Sequence, residues 1–143
     1  MTTALIAFDG SENAIRAIDK MLDTIDTSKL HAHLLNVCEP IKVNEVIFKD
    51  TYEDMQAIDK ARREAGLALL EPAKTRLESA GVKFDIHVNF GSPAEVITKL
   101  AHEYHCNLIV MGTRGMGTIK NLLLGSVASK VIHLTETPLL LVK

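Results

Sequence analysis

Four glycines and a serine between positions 112 and 126 have the types and spacing to handle a phosphate group: Gly112, Gly115, Gly117, Gly125 and Ser126. Glycine has no Cβ, so a ligand can approach the main chain and be held by backbone N–H groups. Ser126 adds a hydroxyl, and the residues after it, VASKVIHL, have helical spacing. A helix N-terminus therefore lies beside the glycines. Its first N–H groups lack intrahelical partners and carry partial positive charge, which is the physical basis of an anion site. A second chemical pair, Asp9-Gly10, follows the first apolar run, TALIAF. A carboxylate there could accept hydrogen bonds from the hydroxyls of a ribose.

Other reactive residues form weaker patterns. His102, His105 and Cys106 resemble metal ligands by type, but no fourth ligand is evident beside them. His31 and His33 share one face of an alternating stretch and lack a ligand set of their own. No metal site is predicted. Cys38 reads as a small apolar filler. Arg114 and Lys120 flank the glycines as cations that suit phosphate or solvent equally, and Lys60-Ala-Arg-Arg-Glu64 reads as a solvated helix face. Asp9 could instead cap a helix, and Ser126 is itself a plausible N-cap.

The elements that must position these residues alternate. Thr3 to Phe8 reads as a buried strand, followed by a helix capped by Ser11 with Ala14, Ile15, Ala17, Ile18, Met21, Leu22 and Ile25 at helical spacing. Leu30 to Val37 is the second strand. Cys38 to Asp50 is long for a connection, and its place after that strand suggests a lid over a ligand. Thr51 to Ala80 reads as one helix with its apolar stripe through Met55, Ile58, Ala61, Ala65, Ala68, Leu69, Ala73 and Leu77. Pro72 demands a kink or boundary. Val82 to Val88 alternates as a strand wet on one face, at or near a sheet edge. A helix capped by Ser92, with Pro93 first and Glu95 completing a capping box, runs to about Tyr104. Asn107 to Met111 is the fourth strand, ended by Gly112, and Leu139 to Val142 the last. The order β-α-β-α-β-α-β-α-β calls for a single open, doubly wound, five-stranded parallel sheet with helices on both faces.

The totals agree with one domain over residues 1–143. Apolar residues make up 47% and charged residues 24%, and the net charge of −2 offers no general attraction to nucleic acid or acidic membranes. No apolar run suggests a signal peptide or membrane insertion, and two cysteines without a framework suit a reduced, cytoplasmic protein.

Neither familiar nucleotide loop is present. The P-loop string is missing, and the G-x-x-G-x-G of this chain follows the fourth strand rather than the first. The pattern that does fit is G-x-x-G, nine residues, then G-S: Gly112, Gly115, Gly125 and Ser126. It resembles the ATP-binding branch of the universal stress protein family. The similarity extends over the whole chain: its length, the βα order, Asp9 after strand one, Val37 ending strand two, and the terminal strand. It implies a sheet in the order 3-2-1-4-5, related to the adenine nucleotide α-hydrolase fold, and a homodimer. It also implies ATP, with Mg²⁺, as ligand. Ala7 and Val37 would wall the adenine, Asp9 would contact ribose or adenine-side groups, and Met111 and Gly112 would lie beside base and ribose. Gly115, Gly117, Gly125, Ser126 and Val127 would surround the phosphates. Members of that branch often have proline where Ala7 stands, so the adenine wall is looser here.

Three functions follow as alternatives: a nucleotide-dependent regulator of an unknown protein partner in a stress response, with at most slow ATP hydrolysis; a dimeric interaction module that binds no nucleotide; or a slow adenine-nucleotide hydrolase. No constellation supports fast phosphoryl transfer. The apolar strand Leu139-Leu140-Leu141-Val142 at a sheet edge invites pairing with a second copy. A side chain at Gly115 is expected to block phosphate while sparing the fold.

Overall fold

Strand and helix alternate because the apolar runs of this chain are short and bounded by turn residues, while the segments between them carry helical spacing. The computed structural model describes residues 1–39, 52–116 and 123–143. Its strands are β1 (Thr2–Ala7), β2 (Leu30–Cys38), β3 (Lys83–Phe90), β4 (Leu108–Gly112) and β5 (Leu139–Val142). Its helices are α1 (Glu12–Thr24), α2 (Tyr52–Leu69), α3 (Glu71–Ser79), α4 (Pro93–Glu103) and α5 (Ser126–Leu134), with a 3₁₀ turn at Thr27–Lys29. Lid behaviour of 38–50 and any role of Gly117 or Lys120 fall largely or wholly outside the described residues.

The sheet is parallel and ordered β3-β2-β1-β4-β5, as expected. β3 lies at one edge and β5 at the other. Successive residues of β1 feed opposite layers. Ala4, Ile6 and Phe8 pack with Ala14, Ile18, Met21, Leu70 and Leu77, beneath α1 and α3. Leu5 packs with Leu35, Ile109, Ile97, Leu100 and Val131, beneath α4 and α5. Chain direction through the sheet reverses at β1, whose neighbours are β2 and β4. In a doubly wound sheet that point opens a crevice beyond the strand ends.

Several local readings need correction. β4 ends at Gly112 as expected, but Gly112 belongs to the strand, paired with Val142, and Asn107 does not. The long helix is two helices, separated at Leu70, so the boundary expected near Pro72 is present; Pro72 sits in the first turn of α3, where its missing N–H costs no helical bond. The stripe on α2 holds at Met55, Ile58 and Leu69, which are half-buried, but Ala61, Ala65 and Ala68 are exposed and Gly66 is buried. Alanine is indifferent to burial, whereas a Cβ at Gly66 would come within 2.9 Å of the Val88 side chain. Ser92 does cap α4 by position, but its side chain makes no capping hydrogen bond, and Glu95 pairs with Lys130 at 3.5 Å instead of closing a box. The 60–64 cluster is not wholly solvated. Arg63 Nη1 donates to the Val88 carbonyl at 2.8 Å, Arg62 donates to the Glu39 carbonyl, and both guanidinium groups lie over the Phe90 ring.

Candidate functional site

The carboxyl ends of β1, β2 and β4 open into a cavity of about 430 Å³, within the range of roughly 300–1,000 Å³ for small-molecule sites. Nine of the ten sequence-predicted residues line it. Ala7 and Val37 stand at the ends of β1 and β2, with Leu35 between them. Met111 and Gly112 close β4, followed by Gly115. Gly125, Ser126 and Val127 come from the start of α5. Asp9 lies between the two groups in the loop after β1.

Backbone pairing continues past the strands and fixes these loops. Phe8 N–H donates to the Leu35 carbonyl at 2.9 Å, and the buried Asn36 amide donates to the Phe8 carbonyl at 3.0 Å. Thr113 N–H donates to the Val142 carbonyl at 2.9 Å, while the Thr113 carbonyl accepts from Gly125 N–H. That last bond ties the start of α5 to the end of β4, although the two are far apart in sequence.

Asp9 joins the two loops. Its Oδ1 accepts from Ser11 N–H at 2.9 Å, and its Oδ2 accepts from Met116 N–H at 3.2 Å across the crevice. The capping alternative is thereby settled: Ser11 caps α1, its hydroxyl accepting from Ala14 N–H at 3.1 Å, and Asp9 shapes the turn before it. A carboxylate has about four acceptor positions, so capacity for a ligand hydroxyl remains.

The glycines have distinct jobs. A Cβ on Gly112 would lie 2.7 Å from Asn13 Cβ and 3.0 Å from the Asn13 carbonyl carbon, so this glycine lets α1 pack against β4. A Cβ on Gly115 would lie 2.6 Å from Asp9 Oδ2. A side chain at Gly115 would therefore disturb the Asp9 bridge as well as any ligand. Gly125 is the N-cap of α5, a position expected for Ser126, and it offers no side-chain acceptor to the first turn. Ser126 is instead the first helical residue and is exposed. The leading N–H groups of α5 thus remain without an intrahelical or capping side-chain acceptor beside the cavity.

Sequence reasoning missed Asn36, Thr113, Pro93 and Ile97, all of which line the cavity. Thr113 is buried, and its hydroxyl has no hydrogen-bond partner among the described residues. Its place inside G-T-R-G was the available signal. The Pro93 and Ile97 contributions depend on how α4 crosses the sheet, which local sequence does not encode. Among the described residues, His102, His105 and Cys106 do not converge as ligands, and burial pushes the Cys106 thiol up to about 11, unfavourable for a thiolate.

Comparisons with known proteins agree with this architecture. A sequence model of the universal stress protein family matches residues 1–143. The chain is 32% identical to universal stress protein YxiE of Bacillus subtilis, over 97% of each chain. Among solved structures it resembles hypothetical protein MJ0577, with a TM-score of 0.83 and 29% identity, covering 99% of this chain and 95% of that one. It also resembles a universal stress protein crystallised in complex with cAMP, with a TM-score of 0.67 and 26% identity over 99% and 95% of the two chains.

Proposed function

The chain belongs to the universal stress protein family, and from that premise we propose that it binds an adenine nucleotide, ATP with Mg²⁺, in the crevice beyond β1 and β4. The observation that carries this reading is the meeting of Asp9, Gly115 and the open first turn of α5 around one cavity. The apolar side of the crevice, Ala7, Val37 and Met111, suits a purine. Asp9 suits a ribose hydroxyl. The leading N–H groups of α5 at Ser126 and Val127 suit phosphate oxygens, with Gly115, Gly117 and Gly125 assigned to the same phosphate site because they leave the main chain approachable. The buried Thr113 hydroxyl offers one more polar contact. The cAMP complex of a relative supports the choice of an adenine nucleotide.

Mg²⁺ enters with the nucleotide, neutralising phosphate charge. Hydrolysis is at most slow in this reading. Both Asp9 oxygens already accept backbone hydrogen bonds, which favours holding over proton abstraction. Occupancy is read by a regulatory protein partner, within one domain spanning 1–143. A homodimer forms through Leu139 to Val142, since β5 lies at the sheet edge and leaves one row of backbone groups unpaired within the sheet. Light scattering at micromolar concentration is expected to give twice the chain mass; a monodisperse monomer would remove the dimer.

Calorimetric titration of Mg-ATP into wild type and Ser126→Asp tests the nucleotide site. Ser126 is exposed at the first position of α5, where a carboxylate suits the helix dipole, so the variant stays folded while its charge opposes phosphate. Affinity is expected to fall by roughly 10–100-fold, the loss of one charged hydrogen bond's worth of about 1.5–3 kcal/mol. Absence of binding to folded wild type would favour the interaction module that binds no nucleotide.

A further inference from the structure

Strands β2 and β3 carry a second concentration of donor groups. β2 and β3 pair in parallel with His31 opposite Lys83, His33 opposite Asp85, and Leu35 opposite His87. Alternation puts His31, His33, Asp85 and His87 on one face. That is the face where Leu35 and Val37 pack beneath α4 and α5, so the polar cluster replaces apolar core at the amino-terminal half of the two strands. The crevice lies beyond the carboxyl ends of the same face, and Leu35, which lines it, stands opposite His87.

The cluster is tightly interlocked. His31 Nε2 lies 2.8 Å from Asp85 Oδ2, and His33 Nδ1 lies 2.9 Å from His87 Nε2. Tyr104, just after α4, stacks on His33 with ring centroids 4.3 Å apart and planes inclined by 17°, and also touches His87 at 4.8 Å. One donor atom each from His31, His33 and Asp85 falls within 4.8 Å of the others, the only such convergence of three potential ligands among the described residues.

We propose that His31, His33 and Asp85 form a binding site for a divalent transition metal, Zn²⁺ by donor chemistry, with His87 as the partner that orients His33. Two imidazoles and a carboxylate are a usual ligand set for zinc, with a fourth position left for water. With Zn–N and Zn–O bonds of about 2.0 Å, tetrahedral donors stand roughly 3.3 Å apart, between the 2.8 Å of His31–Asp85 and the 4.8 Å limit of the trio. The cation takes the place of the shared proton between His31 and Asp85. Their side chains are 34% and 59% exposed, so both can make that adjustment. His33, by contrast, is buried, and its ring is held by His87 and Tyr104. A ligating imidazole is set in orientation by such a bond at its other nitrogen. The fixed ligand is thus inside and the mobile ligands are at the rim, where the open position meets solvent.

This inference does not depend on the nucleotide reading. Chelator-treated, nucleotide-free protein dialysed against micromolar zinc is expected to retain one equivalent per chain, and zinc should raise its melting temperature. His31→Gln with Asp85→Asn alters only the two rim ligands, so the fold survives; affinity should fall at least about tenfold, since even the loss of an outer-shell partner costs that much. His102→Gln with His105→Gln should bind like wild type. Unchanged stoichiometry and affinity in the first variant would overturn the proposal. So would loss of binding in the second, or absence of bound zinc in wild type.

Discussion

At the carboxyl ends of β1 and β4, glycines bring the main chain to the crevice wall beside Asp9 and Thr113. On β2 and β3 the polar groups are side-chain rings and a carboxylate that hold one another. The first surface is made by leaving atoms out: Gly112 admits α1, Gly115 admits the Asp9 carboxylate, and Gly125 leaves the start of α5 without a capping side chain. The second is made by adding groups whose burial must be offset by mutual hydrogen bonds. A site of the first kind is preorganised by the fold itself. One of the second kind answers to pH and to cations.

The sharpest way to break this contrast is to fill the first region. Gly112→Val would drive side-chain atoms into the backbone of α1 at Asn13, where even a Cβ would stand 2.7 Å from Asn13 Cβ. Overpacking of this kind is expected to cost about 3 kcal/mol, measured as a lower urea midpoint at unchanged slope. A loss under about 0.5 kcal/mol, the ordinary range of surface changes, would show that the glycine there is dispensable to the fold. Ser126→Asp separates the two roles of this region, since it should weaken nucleotide and leave that midpoint in place.

The second region should respond to protons with a smaller effect. His33 titrates below the ordinary imidazole value of 6.5, first because burial disfavours its charged form, then because His87 and His31 would repel it; Asp85 acts the other way. His87 is lowered chiefly by burial, opposed by Asp85. The groups facing this pair are thus His31, Asp85 and the Tyr104 phenol. Because the folded rings bind protons less readily than the unfolded chain, stability is full above 6.5. It declines as pH falls from 6.5 toward the folded values. Asp85 is lowered by its hydrogen bond to His31, so its contribution persists until below 3.8 and is small at an exposed site. Melting temperature measured in chelator from pH 8 to pH 5.5 should drop on the acid side, with a shallower slope in His87→Leu. Parallel slopes would remove the cluster as the cause.

The two regions also differed in how far sequence alone could reach them. The crevice was legible because its residues cluster around two glycine turns at strand ends, and a parallel alternating order places strand ends together. Thr113 escaped because a buried hydroxyl without a partner is a property of packing. The histidine cluster was half visible: His31 with His33, and Asp85 with His87, each alternate along one strand. Bringing the pairs together requires β2 beside β3 with His33 opposite Asp85, a register no single strand encodes. The stripe on α2 held at Met55, Ile58 and Leu69, which are half-buried, and missed at Ala61, Ala65 and Ala68 for a related reason. Between Ile58 and Leu69 the inward face of that helix is carried by the buried Gly66 and the half-buried Arg62, which reaches Glu39, and neither residue is apolar.

The stacking of Tyr104 on His33 has an optical consequence. The chain contains no tryptophan and only two tyrosines, Tyr52 and Tyr104. Its ultraviolet emission therefore comes from two phenols, one of them in face-to-face contact with the most buried ring of the cluster. Anything that alters the electronic state of that imidazole acts on a neighbouring fluorophore 4.3 Å away. The protein thus carries a label-free reporter at the histidine cluster, readable without introducing a dye.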